Sequence, residues 1–107
     1  MKAGIVIYRR SGASFVGKWT HEDVKGVFFK EIVHDVPADT WEGDWPVEVF
    51  QGDELLLQGR LSSAKLGDCL KLVWWRKSTA KAAGAGAFQG IGYALDAATM
   101  VATFEPI

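Results

Sequence analysis

The sequence predicts an all-β fold, an eight-stranded antiparallel up-and-down barrel, with a two-sheet β-sandwich as the alternative. Three observations carry this. Apolar runs of strand length are separated by Gly- and Asp-bearing turns at short, fairly even intervals. Several of those runs alternate apolar and polar residues with period 2, the mark of a half-buried strand. No segment supplies the crossover of about a dozen residues that parallel neighbours require. A meander of eight short strands curls, and closing it removes its exposed edges. With 107 residues, the chain has the length for a single β-barrel domain over 1–107 with one core.

The first strand, "AGIVIYR" (3–9), is closed by the turn "RRSGAS" (9–14). "SFVGKWT" (14–20) sets Phe15, Gly17 and Trp19 against Ser14, Lys18 and Thr20, and "HEDVKG" (21–26) turns the chain. "GVFFKEIV" (26–33) fits either face inward. "HDVPADTWEGDWP" (34–46) is a long connection carrying Pro37 and Pro46, and it leads into "PVEVFQ" (46–51). Beyond "QGDE" (51–54), "ELLLQGRLS" (54–62) puts Leu55, Leu57, Gly59 and Leu61 on one face. Beyond "KLGD" (65–68), "CLKLVWWR" (69–76) opposes Leu70, Leu72 and Trp74 to Lys71 and Val73. "STAKAA" (78–83) is the one helical-looking segment, with Ser78 as N-cap and Gly84 and Gly86 as its stop. "FQGIGYA" (88–94), the weak turn "DAAT" (96–99) and "MVATFE" (100–105) complete the meander.

The glycine-rich stretch "AAGAGAFQGIG" (82–92) invites a nucleotide-binding reading. A dinucleotide fingerprint places G-x-G-x-x-G between a strand and a helix. Counting from Gly84 puts Gln89 where the third glycine belongs, and the segment beyond it is a strand rather than a helix. Gly84 and Gly86 read instead as loop residues. Gly90 and Gly92, on one face with Phe88, read as places where a missing side chain permits curvature or admits a ring.

Composition excludes several classes. The net charge of −1 gives no global attraction to nucleic acid or an anionic membrane. Arg9–Arg10 and Arg76–Lys77 with Lys81 are strand-end charges rather than a nucleic-acid motif. The apolar stretch Ala3–Tyr8 is too short for a signal-peptide core, and a single Cys69 cannot form an intrachain disulfide; a reducing, cytoplasmic setting is expected. His21, Glu22 and Asp23, then His34 and Asp35, lie in turns without a metal-binding spacing. Asp35, Asp39, Glu42 and Asp44 read as a solvated acidic loop. No G-x-S-x-G or other nucleophile–base pattern anchors catalysis. No cofactor or metal is expected, and a non-enzymatic role is favoured.

The five tryptophans carry the functional expectation. Trp19 and Trp74 fall on apolar strand faces, where each indole N–H needs an acceptor. Trp41 and Trp45 sit in the long connection, placed to cover a barrel mouth or to plug it. An eight-stranded barrel is just wide enough to be filled by its own side chains or to hold one small ligand. The expectation is an interior site for a small apolar or aromatic ligand, lined by Phe15, Trp19, Trp74 and Phe88 and closed by Trp41 and Trp45. The alternative is a regulatory or homodimeric protein–protein module using outward Val73, Trp75, Ile91 and Tyr93.

"GKW" (17–19) resembles the Gly-x-Trp signature of calycin barrels, the lipocalin and avidin group, although here it falls on the second strand rather than the first. "LKLVWWRKSTAKAAGAGAFQGIG" (70–92) is similar in layout to avidin-type chains: a Trp-bearing strand, a polar turn, a loop, and a strand opening with aromatic-x-Gly. In size and layout the chain also resembles small calycin-like bacterial barrels, among them negative regulators of secretion genes that bind a partner protein. The first resemblance implies a ligand in the barrel, the second a protein partner.

Overall fold

A computed structural model describes residues 3–24, 26–76 and 86–107. Eight strands form a closed barrel: β1 (Gly4–Ser11), β2 (Ser14–His21), β3 (Phe29–His34), β4 (Gly43–Gln51), β5 (Glu54–Leu66), β6 (Cys69–Arg76), β7 (Gly86–Ala94) and β8 (Thr99–Pro106). Each pairs antiparallel with its sequence neighbours, and β8 returns to β1 through Tyr8↔Met100 and Ile7↔Val101. The expected barrel stands, and the sandwich is set aside because every strand has a partner on both edges. The architecture is compatible with a calycin-like fold. The segment expected to be helical, 78–83, lies outside the described residues, which contain only a short 3-10 turn at Glu22–Val24.

Period-2 alternation sorts the side chains. Val6 and Tyr8, Phe15, Val33, Trp45 and Val47, Leu61, Leu70, Leu72 and Trp74, and Met100, Ala102 and Phe104 form one buried cluster. Several boundaries differ from the sequence reading. β4 begins at Gly43 rather than Pro46, which puts Trp45 on a strand instead of in the long connection. β3 begins at Phe29, because Val27 and Phe28 are exposed and precede the ladder with β2. β5 runs on to Leu66, since Ser63 to Leu66 still pair with β6.

The two ends of the barrel are built differently. At one end the chain crosses from β3 to β4, and Asp35 takes a left-handed φ of 61°, which an aspartate tolerates better than most residues. Val36 N–H then donates to Ala13 C=O (3.0 Å) and its side chain is buried. Trp41 lies on Phe15 (4.6 Å between ring centroids), and Trp45 meets the same Phe15 edge-on at 5.3 Å. Arg10 fastens this plug. Its guanidinium sits 4.2 Å from the Trp41 ring centroid and donates to the carbonyls of Ala97, Pro37 and Thr40 at 2.7–2.8 Å. The long connection therefore seals this end.

Candidate functional site

Among the described residues, the opposite end stays open. Where β2, β4, β6 and β8 finish and the other strands begin, a pocket of about 100 Å³ enters the barrel. Its walls are Trp19, Trp74, Trp75, Phe88 and Phe104 with Val6, Val47, Val49 and Leu57. Phe104 organises the rings, meeting Trp19, Trp74 and Phe88 edge-on or steeply inclined at 5.7–6.1 Å. Trp19 is further stacked on Phe29 at 4.5 Å. A dry apolar cavity of roughly 150 Å³ is enough to hold benzene. At about 100 Å³ this pocket is smaller than that, so a single ring or a short branched chain would fit with part of it in the open mouth, and an extended lipid would not fit.

One ionisable group stands in this lining, the carboxylate of Glu31. It is 4% exposed. Backbone register explains how it comes to be held. Tyr8 pairs with Gly17, and Gly17 pairs with Glu31, so the three lie in one row across β1, β2 and β3. A Cβ on Gly17 would come within 2.7 Å of the Tyr8 ring. The bare glycine lets that ring lie across β2, and its hydroxyl donates to Glu31 Oε2 in a short hydrogen bond. From across the barrel, Trp74 Nε1–H reaches Tyr8 Oη at 3.1 Å and Glu31 Oε2 at 3.4 Å. Both bonds to the carboxylate land on Oε2.

Burial dominates the electrostatics. Loss of hydration pushes the Glu31 carboxyl up to about 7, against the opposing pull of the Tyr8 and Trp74 hydrogen bonds. Burial, and then the adjacent Glu31 charge, raise the Tyr8 phenol well above its ordinary value, so the proton stays on the tyrosine. A second polar group is left over: Trp19 Nε1 is buried with no hydrogen-bond partner.

The expected ligand-binding residues divide between the two ends. Trp19, Trp74 and Phe88 are brought together in the pocket. Phe15, Trp41 and Trp45 are not; they form the plug at the far end, where Trp41 from the connection and Trp45 from the start of β4 pack on Phe15. Trp75, expected to face outward, is half-buried and lines the pocket, next to a register shift between Trp74 and Trp75 against β7. Val73 is half-buried opposite Gln89, whereas Ile91 and Tyr93 are about half exposed on the outer wall. Sequence reasoning missed Glu31 and Tyr8. The available signal was a glutamate sharing the Phe29–Val33 face, which the undecided inwardness of 26–33 concealed.

Several of the remaining ionisable residues have local partners. His34 Nε2 lies 2.7 Å from Glu48 Oε1, and His21 Nδ1 accepts from Asp23 N–H. Asp44 accepts from Arg60 and Ser62, and Glu42 accepts from Lys65 N–H. Among the described residues no three His, Cys, Asp or Glu gather as a metal site. Cys69 is half-buried at the start of β6. Comparison with protein-family models, curated proteins and solved structures returned no match.

Proposed function

We propose that this protein is a non-enzymatic binding barrel whose open end takes a small aromatic or branched apolar ligand, in the manner the lipocalin and avidin resemblance implies. The observation that supports the reading is the half-filled interior. One end is packed by the plug, while the other keeps an aromatic-walled pocket of about 100 Å³ with a single buried carboxylate. Titration with toluene and benzyl alcohol, monitored by tryptophan fluorescence, tests it, since Trp19, Trp74 and Trp75 all border the pocket. Saturable quenching or a blue shift, weakened about tenfold or more by Leu57→Phe at the rim, is the expected result. No saturable response from any single-ring compound removes the proposal.

A second reading has its own support. On the outer wall Ile7 pairs with Val101 and Val101 with Tyr93, and Ile5 and Ile91 flank that row. Ile5, Ile7, Ile91 and Tyr93 are each 41–52% exposed. An apolar stripe over three adjacent strands is the surface a homodimer or a regulatory protein partner would cover. Light scattering after size exclusion, with Ile7→Lys as control, tests it; a monomer at all concentrations for both chains removes the homodimer.

A further inference from the structure

We propose that the occupant of the pocket carries a protonated amine, its ammonium set against Glu31 and its apolar body held among the rings of Trp19, Trp74, Phe88 and Phe104. This rests on the pocket reading above and adds the charge of the ligand.

Three features converge. Buried carboxylates are normally matched by a cation or a dense set of donors. Glu31 has only two neutral donors, the Tyr8 hydroxyl and the Trp74 indole, and both engage Oε2. Among the described residues no Lys, Arg or His pairs with it. Among the described residues the strands around it add no further charge to the pocket: β1 contributes Tyr8 and Val6, β2 Trp19, β4 Val47 and Val49, β5 Leu57, β6 Trp74 and Trp75, β7 Phe88 and β8 Phe104. The walls, finally, are aromatic. Ring faces attract a desolvated cation, so a carboxylate within such walls suits an ammonium far better than an anion or a neutral hydrocarbon. The space limits the amine to about one ring or a short branched chain.

Charge also makes the site responsive to pH. The empty carboxyl titrates at about 7, near half ionisation at neutral pH. An arriving cation favours the ionised form, so binding near neutrality expels a proton from Glu31.

The test compares benzylamine with its neutral isostere benzyl alcohol. Binding is read by tryptophan fluorescence and by calorimetry in two buffers of different ionisation heat. At about pH 8 benzylamine should bind at least about tenfold more tightly than the alcohol, and at about pH 5 the preference should vanish. Near pH 7 the calorimetric heats should report proton release on binding benzylamine and none on binding the alcohol. Glu31→Gln should keep the alcohol and lose the preference; if that variant does not fold, the wild-type pH profile decides alone. Equal or weaker binding of benzylamine at the higher pH, with the alcohol still bound, overturns the amine and leaves the pocket reading standing. Binding of neither compound overturns both.

Discussion

Replacing Glu31 by glutamine should make the stability difference between the two proteins depend on pH, in a direction the structure fixes. The folded protein holds the Glu31 proton more tightly than the unfolded chain, because its carboxyl rises from an ordinary 4.5 to about 7. Below about pH 4 both states are protonated and Glu31 costs the fold nothing. As the pH climbs, the unfolded chain releases the proton first, so stability falls until about pH 7 and then levels off. A shift of that size corresponds to roughly 3 kcal/mol. Glutamine has no proton to lose and keeps a carbonyl oxygen for Tyr8 and Trp74, at the cost of an amide group to satisfy. Relative to wild type, Glu31→Gln should therefore gain roughly 3 kcal/mol between about pH 4 and pH 8, whatever its offset at the acidic end. Urea unfolding monitored by tryptophan emission at several pH values measures this, and taking the difference between the proteins cancels every other titrating group. A difference that stays constant within about 0.5 kcal/mol would refute a buried, perturbed Glu31.

Three further substitutions probe the row and the plug. Tyr8→Phe removes the donor that holds the Glu31 charge, leaving the longer Trp74 contact; it should cost about 1–3 kcal/mol above pH 7 and distinctly less near pH 5, read by the same unfolding assay. Gly17→Ala places a methyl 2.7 Å from a fully buried ring, so it should destabilise by about 1–3 kcal/mol and shift the pH midpoint of the indole emission as the tyrosine hydroxyl moves off Glu31. Arg10→Ala loses three carbonyl contacts and the stack on Trp41. Hydrogen exchange over residues 35–42 should rise, at a cost of about 1–3 kcal/mol, while binding at the open end is unchanged.

The barrel was legible because its causes are local. Period-2 runs such as Leu70–Trp74 and turns such as Gly67–Asp68 set strand after strand, and antiparallel closure needs nothing longer in range. The site was legible only in part. Trp19 and Trp74 stand on strands whose facing is explicit in the sequence, and both reach the pocket. Glu31 does not announce itself. It sits in "VFFKEIV", where both faces are apolar enough to point inward, and its meaning comes from register with Gly17 and Tyr8, a long-range property. The structure places Trp41 in the β3–β4 connection and Trp45 on β4, both packed on Phe15. Which end they covered, and that they filled it rather than lined it, depended on Arg10 reaching the carbonyls at 37, 40 and 97, pairings no short window contains.

Because the plug lies opposite the pocket, any guest of the kind proposed would enter and leave by one doorway among the described residues, and the packed far end leaves no through-passage. Residues around that doorway can drift in size or charge without loosening the far seal, which carries its own aromatic packing and its own arginine clasp. Substitutions at the pocket mouth would thus alter the shape and charge of the proposed site while leaving intact the packing that closes the barrel behind it.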